Sequence, residues 1–293
     1  MKIGLIDVDG HNFPNLPIMK LSAWHKSRGD TVEWWMALNK YDIVYKSKVF
    51  DFAPDINTVI QADQIIEGGT GYNLKGKLPE EVEHIMPDYS LYPMYKEAYG
   101  FLTRGCPRNC GFCIVSEKEG LCSKQVADLS EFWTGQKTIK LLDPNLLACT
   151  EHEKLLKQLI NSRAKIDFTQ GLDARLLNPD NAKLISEIKI NMLHFAWDSV
   201  EDNITPYMLW HFKKLSGLNE RKLGVYVLTN YNSTLEEDLY RIYRLRELGY
   251  DPYVMVYNKT EAPKQIRHLQ RWVNNKWVWR TCERFEDFNT KLA

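Results

Sequence analysis

Apolar and polar positions fall into two successive blocks in which strand-like and helix-like patterns alternate. The run at 2–8 is short, apolar and bounded by acidic and glycine positions, which predicts a buried strand. A loop with Gly10, Asn12, Pro14 and Pro17 follows. Helical spacing then runs over 18–28, with Ile18, Leu21, Ala23 and Trp24 apolar against Lys20, His25, Lys26 and Arg28, and Gly29 is placed to stop it. Positions 31–36, 42–45 and 62–67 read as further strands, the last entering Gly68-Gly69-Thr70-Gly71. This pattern predicts a small open parallel sheet. Positions 72–96, rich in Pro, Tyr and charge, read as a linker.

From Tyr99 the alternation restarts. Strands are predicted at 99–103, 137–142, 166–169, 192–197, 222–228 and 251–257. Helices are predicted at 151–162, 179–187, 204–215 and 235–248, with Asp180 near one start and Gly249 at one stop. Most of these strands run into polar residues: Asp143-Pro144-Asn145, Gln170-Gly171-Leu172-Asp173, Asp198-Ser199 and Thr229-Asn230-Tyr231-Asn232. Right-handed crossovers would curl six such units into a partial (β/α)6 parallel barrel. In parallel barrels the chemistry sits at the carboxyl ends of the strands. The fold class is therefore α/β. A small open-sheet, Rossmann/flavodoxin-like domain at 1–90 precedes a barrel core at 91–260, with a C-terminal helix and tail at 261–293.

Composition changes this picture little. The 293 residues carry 38 basic and 38 acidic side chains, so bulk charge favours neither nucleic acid nor an anionic membrane as partner. No stretch approaches the roughly 18 apolar residues that a membrane helix needs, and the N-terminus does not read as a signal peptide. A cytoplasmic location is expected, and there six cysteines are not a disulfide scaffold.

Three of those cysteines demand a chemical explanation. Cys106, Cys110 and Cys113 form a Cys-x3-Cys-x2-Cys run directly after a predicted strand, with Gly105, Pro107, Asn109 and Gly111 allowing a tight backbone wrap. Three thiolates on one loop can hold three irons of a cubane cluster and leave the fourth open. A structural zinc site is the competing reading. It wants four closed ligands, usually as two pairs, and Cys122, Cys149 and Cys282 stand alone, while His11, His25 and His84 lie far upstream.

The motif, with Phe112 before the third cysteine, resembles the radical S-adenosylmethionine (SAM) superfamily. The resemblance implies a 4Fe–4S cluster on Cys106, Cys110 and Cys113, and SAM chelated at the open iron. It further implies reductive cleavage to a 5′-deoxyadenosyl radical that abstracts a hydrogen atom from a substrate the sequence does not name. Phe112 would pack near the adenine. Where that family commonly has a Gly-Gly-Glu type segment, this chain has Leu142-Asp143-Pro144-Asn145. The departure is similar to the Asp-containing version of the methylthiotransferase-like and cobalamin-domain branches, and it makes Asp143 the expected partner of the SAM ammonium. The segment 168–175 resembles the third strand of those branches. Arg175 would meet the SAM carboxylate or else pair with a surface acid, and Asp173 or Gln170 would face the ribose or substrate. Asp198 is expected to reach the cavity, and Asn230 and Asn232 to contact adenine or ribose. The substrate would be a small molecule or a peptide, and the electron donor an external flavodoxin or ferredoxin.

Residues 1–90 resemble a shortened cobalamin-binding domain. Asp9 and His11 match its Asp-x-His-x-x-Gly motif, but Pro14 stands where the Gly belongs. A cobalamin-free remnant is favoured over a cobalamin-dependent methyltransferase, and a metal-stapled binding protein is the reading outside enzymology. A methylthiotransferase is disfavoured because residues 1–105 hold no cysteine for a second cluster. Cys282 is open as a hydrogen-atom donor or auxiliary ligand, with a plain tail thiol the commoner case. Trp272, Trp277 and Trp279 either line a pocket or close the barrel.

Overall fold

The computed structural model describes residues 1–10 and 13–289. The first sheet is made of β1 (Lys2–Asp7), β2 (Thr31–Trp34), β3 (Tyr41–Ser47) and β4 (Ala62–Gly68), all parallel in the order β2-β1-β3-β4. Helix α1 (Leu16–Ser27) begins two residues earlier than its apolar spacing predicts. Asn15 caps it by accepting from the Ile18 amide, and Pro17 fits the first turn, where no amide donor is needed.

The linker segment 72–96 makes specific contacts on both sides. It contains a short helix α2 (Glu80–Glu83), and its side chains hold it against the first sheet. Asp88 accepts from Ser22 and Lys26, both at 2.6 Å, and Tyr92 donates to Asp7 at 2.7 Å. Tyr89 reaches the other way and donates to the Phe132 carbonyl at 2.6 Å.

The second sheet is entirely parallel and follows chain order. Its strands are β5 (Ala98–Gly100), β8 (Thr138–Leu141), β9 (Lys165–Leu172), β10 (Ile190–Ala196), β11 (Leu223–Thr229) and β12 (Asp251–Val256). Between β5 and β8 lie a two-residue antiparallel pair, β6 (Thr103–Arg104) with β7 (Lys124–Gln125), and a short helix α3 (Val115–Glu119). The predicted strand 99–103 is therefore two strands. Gly100 ends the first, where the Phe132 ring occupies the space a Cβ would need, and Thr103 starts the second in a different sheet.

Helices α4 (His152–Ser162), α5 (Pro179–Glu187), α6 (Ile204–Ser216) and α7 (Leu235–Leu248) follow β8 to β11 in turn. Their ends obey local rules. Asn178 with Asn181 and Thr234 with Glu237 form reciprocal N-terminal caps, and Gly249 stops α7 at φ +74°. The C-terminal part holds two helices rather than one, α8 (Lys264–Asn274) and α9 (Lys276–Thr281). Trp272 and Trp279 meet edge to face at 4.9 Å in the core, whereas Trp277 is exposed, so two of the three tryptophans pack rather than line a pocket.

Strand alternation gives the large sheet two unlike faces. Leu141, Phe168, Leu193, Phe195, Val225, Val227 and Val254 are buried in the main core. The intervening Lys140, Asp167, His194, Tyr226, Tyr253 and Met255 are partly or fully exposed on the other face. In β9 the alternation is interrupted at Gly171, which sits at φ +91° against the His194 carbonyl. The strand continues through this irregularity to Leu172, so Gln170 lies within β9 and not past its end as the pattern predicts.

At the carboxyl end of β10 and β11 a buried cation ties the layers together. Arg241 of α7 donates to the carbonyls of Trp197 and Leu228, each at 2.8 Å, and pairs with Asp238 at 2.5 Å, both side chains fully buried. Replacing it with methionine, Arg241→Met, strands the Asp238 carboxylate, and a loss of about 3–5 kcal/mol is expected in denaturant unfolding. A loss below 1 kcal/mol would mean that this pair does not hold α7 to the sheet.

Candidate metal and SAM site

The cysteine loop leaves β6 and lies above the carboxyl edge of the second sheet. Gly105 opens it at φ +89°, with its α-carbon against the Cys122 carbonyl, where no side chain fits. The Cys106 amide donates to the Gly120 carbonyl at 3.1 Å, and the Cys113 amide closes a turn on the Cys110 carbonyl at 3.0 Å. Asn109 takes a left-handed φ of +45°, a conformation asparagine tolerates. Gly111 leaves room for the Tyr231 hydroxyl, which would stand 2.6 Å from an added Cβ. Cys122, which the spacing leaves isolated, is thus a neighbour of the loop through its main chain, with its own thiol exposed.

All three motif thiols are free. Burial pushes the Cys110 thiol up, and the charges of Asp198, Cys113 and Cys106 push the same way, while Arg175 opposes them. The three sulfurs and two of the predicted SAM contacts therefore share one electrostatic neighbourhood. A bound cation would reverse that shift by favouring the thiolates. Among the described residues no group of three or more His, Cys, Asp or Glu side chains is arranged around a single metal ion. The donor set, three thiols on one loop with no carboxylate or imidazole completing it, fits a polynuclear iron–sulfur group better than one hard or borderline ion.

The other predicted residues divide into two groups. Asp143, 5 % exposed, accepts from the Leu102 amide at 3.2 Å, the Thr103 amide at 2.5 Å and the Thr103 hydroxyl at 2.7 Å. Burial raises its carboxyl to about 6 against those hydrogen bonds. Its immediate task is to fix the approach to the cysteine loop. Asp173 is likewise engaged. It accepts from Arg108 at 2.6 Å and from Arg175 at 2.7 and 3.1 Å. Burial alone would raise its carboxyl, but the two guanidiniums outweigh that and hold it below the usual range. Arg175 has a second acid, Asp202, at 3.7 Å.

Asp198 acts on the Cys110 thiol, and Phe112 and the end of β11 meet through Tyr231. Burial raises the Asp198 carboxyl to about 6, with Arg241 and Arg175 opposing. Asn230 sits at φ +60°, and its side chain donates to the Tyr257 carbonyl at 2.8 Å, joining the ends of β11 and β12. Phe112 packs edge to face on Tyr231 at 5.3 Å, and Tyr231 on Tyr257 at 5.0 Å. Gln170 and Asn232 are exposed and make no described contact with the cysteines. Arg108 and Tyr231 were not singled out from sequence. Their signal was proximity alone: one lies inside the motif, the other between two residues that were named.

At the first sheet the order reverses between β1 and β3, the position where open α/β sheets take ligands. Here Asn15 bridges Asp7 at 3.0 Å and Ser47 at 2.9 Å, and Tyr92 covers Asp7. Asp9 is spent on the Val49 and Phe50 amides. His11 lies outside the described residues. The polar groups described at this switch point already have partners within the chain. Cys282 donates to the Arg284 carbonyl at 3.2 Å beside Trp272 and is a tail thiol packed on the core.

No family model matches the chain, and no curated protein matches it. Among solved structures it is similar to Streptococcus suis SuiB bound to S-adenosylmethionine, at 12% identity and a TM-score of 0.45 over 64% of this chain and 48% of that one. SuiB bound to the precursor peptide SuiA gives 11% and 0.44, over 63% and 46%. The chain spans about half the length of these structures. No helix among the described residues is long and apolar enough to cross a membrane.

The Asp173 pairing makes a pH-dependent prediction. A carboxyl held below its unfolded pKa stabilises the fold above that unfolded value, and the contribution disappears as pH falls through the folded one. Asp173→Asn is expected to cost about 2 kcal/mol in urea unfolding at pH 7, with the gap from the parent protein closing below about pH 4. Equal stabilities at pH 7 would show that Arg108 and Arg175 do not depend on this carboxylate.

Proposed function

We propose that this chain is a radical SAM enzyme, built on a partial (β/α)6 barrel, that holds a 4Fe–4S cluster on Cys106, Cys110 and Cys113. The observation that carries the reading is the meeting of these three thiols with Asp198 and Arg175 at the carboxyl edge of a six-stranded parallel sheet. When bound, the cluster supplies the electron that cleaves SAM reductively. The chain's own residues then have separable tasks. Asp143 and Asp173 brace the loop from two sides, through Thr103 and through Arg108. Asp198, Asn230 and Phe112 face the space left for SAM, with Arg175 between the two groups. The partly polar face of the sheet, with Lys140, Asp167, His194 and Tyr226, is where a small-molecule or peptide substrate would be received. No cobalamin step belongs to this reading, because Pro14 stands where the cobalamin motif has its glycine and Asp9 already accepts from the Val49 and Phe50 amides.

The test is chemical. Anaerobically reconstituted protein is expected to hold about four irons and matching sulfide per chain, and to release 5′-deoxyadenosine from SAM on reduction. Cys106→Ala should abolish both, whereas Cys122→Ala should retain the iron. Zinc without sulfide, or a fully loaded cluster that yields no 5′-deoxyadenosine with any reductant, would overturn the proposal. Iron loss on Cys122→Ala would instead mean a closed four-thiolate site.

A further inference from the structure

Asn145 stands two residues beyond Asp143, on the chain leaving β8, and is 3 % exposed. Its Nδ2 lies 3.5 Å from Cys106 Sγ. Its main-chain carbonyl accepts from the buried Ser123 hydroxyl at 2.9 Å, which anchors the residue to the strand that follows the cysteine loop. Its Oδ1 is buried without a hydrogen-bond partner among the described residues. A φ of −161° is extended backbone that any residue adopts, so no turn geometry demands an asparagine here. Packing does not demand one either, since a buried amide with an unmet acceptor is a poorer filler than leucine.

The sulfur gives the amide its purpose. A thiolate accepts hydrogen bonds and donates none, so the side chain must present its N–H edge to Cys106. The other two motif cysteines have no such donor among the described residues. Cys110 Sγ instead has the Arg108 carbonyl, an acceptor, at 4.0 Å. The contact is therefore specific to one sulfur of three.

We infer that Asn145 tunes the reduction potential of the cluster by donating a hydrogen bond to the Cys106 sulfur. The inference rests on the cluster reading above. Reduction adds one electron from the external donor and breaks no bond, and the added negative charge spreads onto the ligand sulfurs. A donor at one of them stabilises the reduced state more than the oxidised state and raises the potential. Asn145 is a positioning and tuning residue in this account, with no required contact to SAM or substrate.

The experiment is a potentiometric EPR titration of reconstituted protein without SAM, on the parent chain and Asn145→Leu, with pulsed EPR of the reduced cluster after exchange into D2O. At a fixed poise the reduced-to-oxidised ratio of Asn145→Leu is expected to fall about tenfold, ~59 mV for a one-electron couple, and one exchangeable deuteron coupling should vanish. Asn145→Asp keeps the shape, removes the amide donor and adds negative charge. It should shift the ratio in the same direction, and it serves if the leucine variant does not fold. An unchanged midpoint and an unchanged deuteron signal in variants with full iron and sulfide would overturn the tuning role. A parent chain that binds no iron and sulfide would overturn the cluster reading beneath it.

Discussion

The Asp143 carboxylate takes three hydrogen bonds from Leu102 and Thr103, and this grip sets where the cysteine loop can go. The first strand of the large sheet stops at Gly100, where the Phe132 ring fills the space a side chain would need. The chain then turns out of the sheet. Without an anchor, the two residues that follow would be free to choose a direction, and the three thiols would move with them. Asp143, carried on the end of the adjacent β8, supplies the anchor at the price of a buried acid whose pKa is raised to about 6. The hairpin of β6 and β7 and the close approach of Gly105 to Cys122 then follow from a fixed starting point.

A second brace works from the opposite side. Arg108, inside the loop, reaches Asp173 at the end of β9, and Arg175 shares the same carboxylate. A single carboxylate between two guanidiniums holds more tightly than a surface pair, because its burial removes competing water. The loop is thus pinned to two neighbouring strands by two acids with opposite titration behaviour. Asp143 has its pKa raised by burial that its neutral donors do not offset. Asp173 has its pKa lowered because charged donors do.

Much of the fold was legible because its signals are local. The limits of α5 and α7 follow from Asn178, Pro179, Thr234 and Gly249, each acting within one turn of the chain. The six parallel strands follow from alternation in runs too short to be anything else. The failures share one physical origin, namely long-range contacts. The Phe132 ring fills the side-chain space at Gly100, Gly171 lets β9 continue past an irregularity, and Asp7 and Asp88 give the Pro- and Tyr-rich linker contacts of its own. None of these leaves a pattern within a window of ten residues.

The site shows the same split, with a chemical consequence. The cysteine motif was readable because its ligands are close in sequence. Polar residues at strand ends were readable as a class, but not by task. Asp143 was expected to meet the SAM ammonium and Asp173 or Gln170 the ribose or substrate, and both carboxylates also take donors from the protein. A carboxylate so engaged would loosen the loop if it gave those donors up. Two other polar groups near the cysteines are not braces of this kind: Asp198, whose carboxyl burial raises to about 6, and Asn145, whose Oδ1 has no described partner. Charge alone therefore does not sort the polar residues of this edge; the partners each one already holds do.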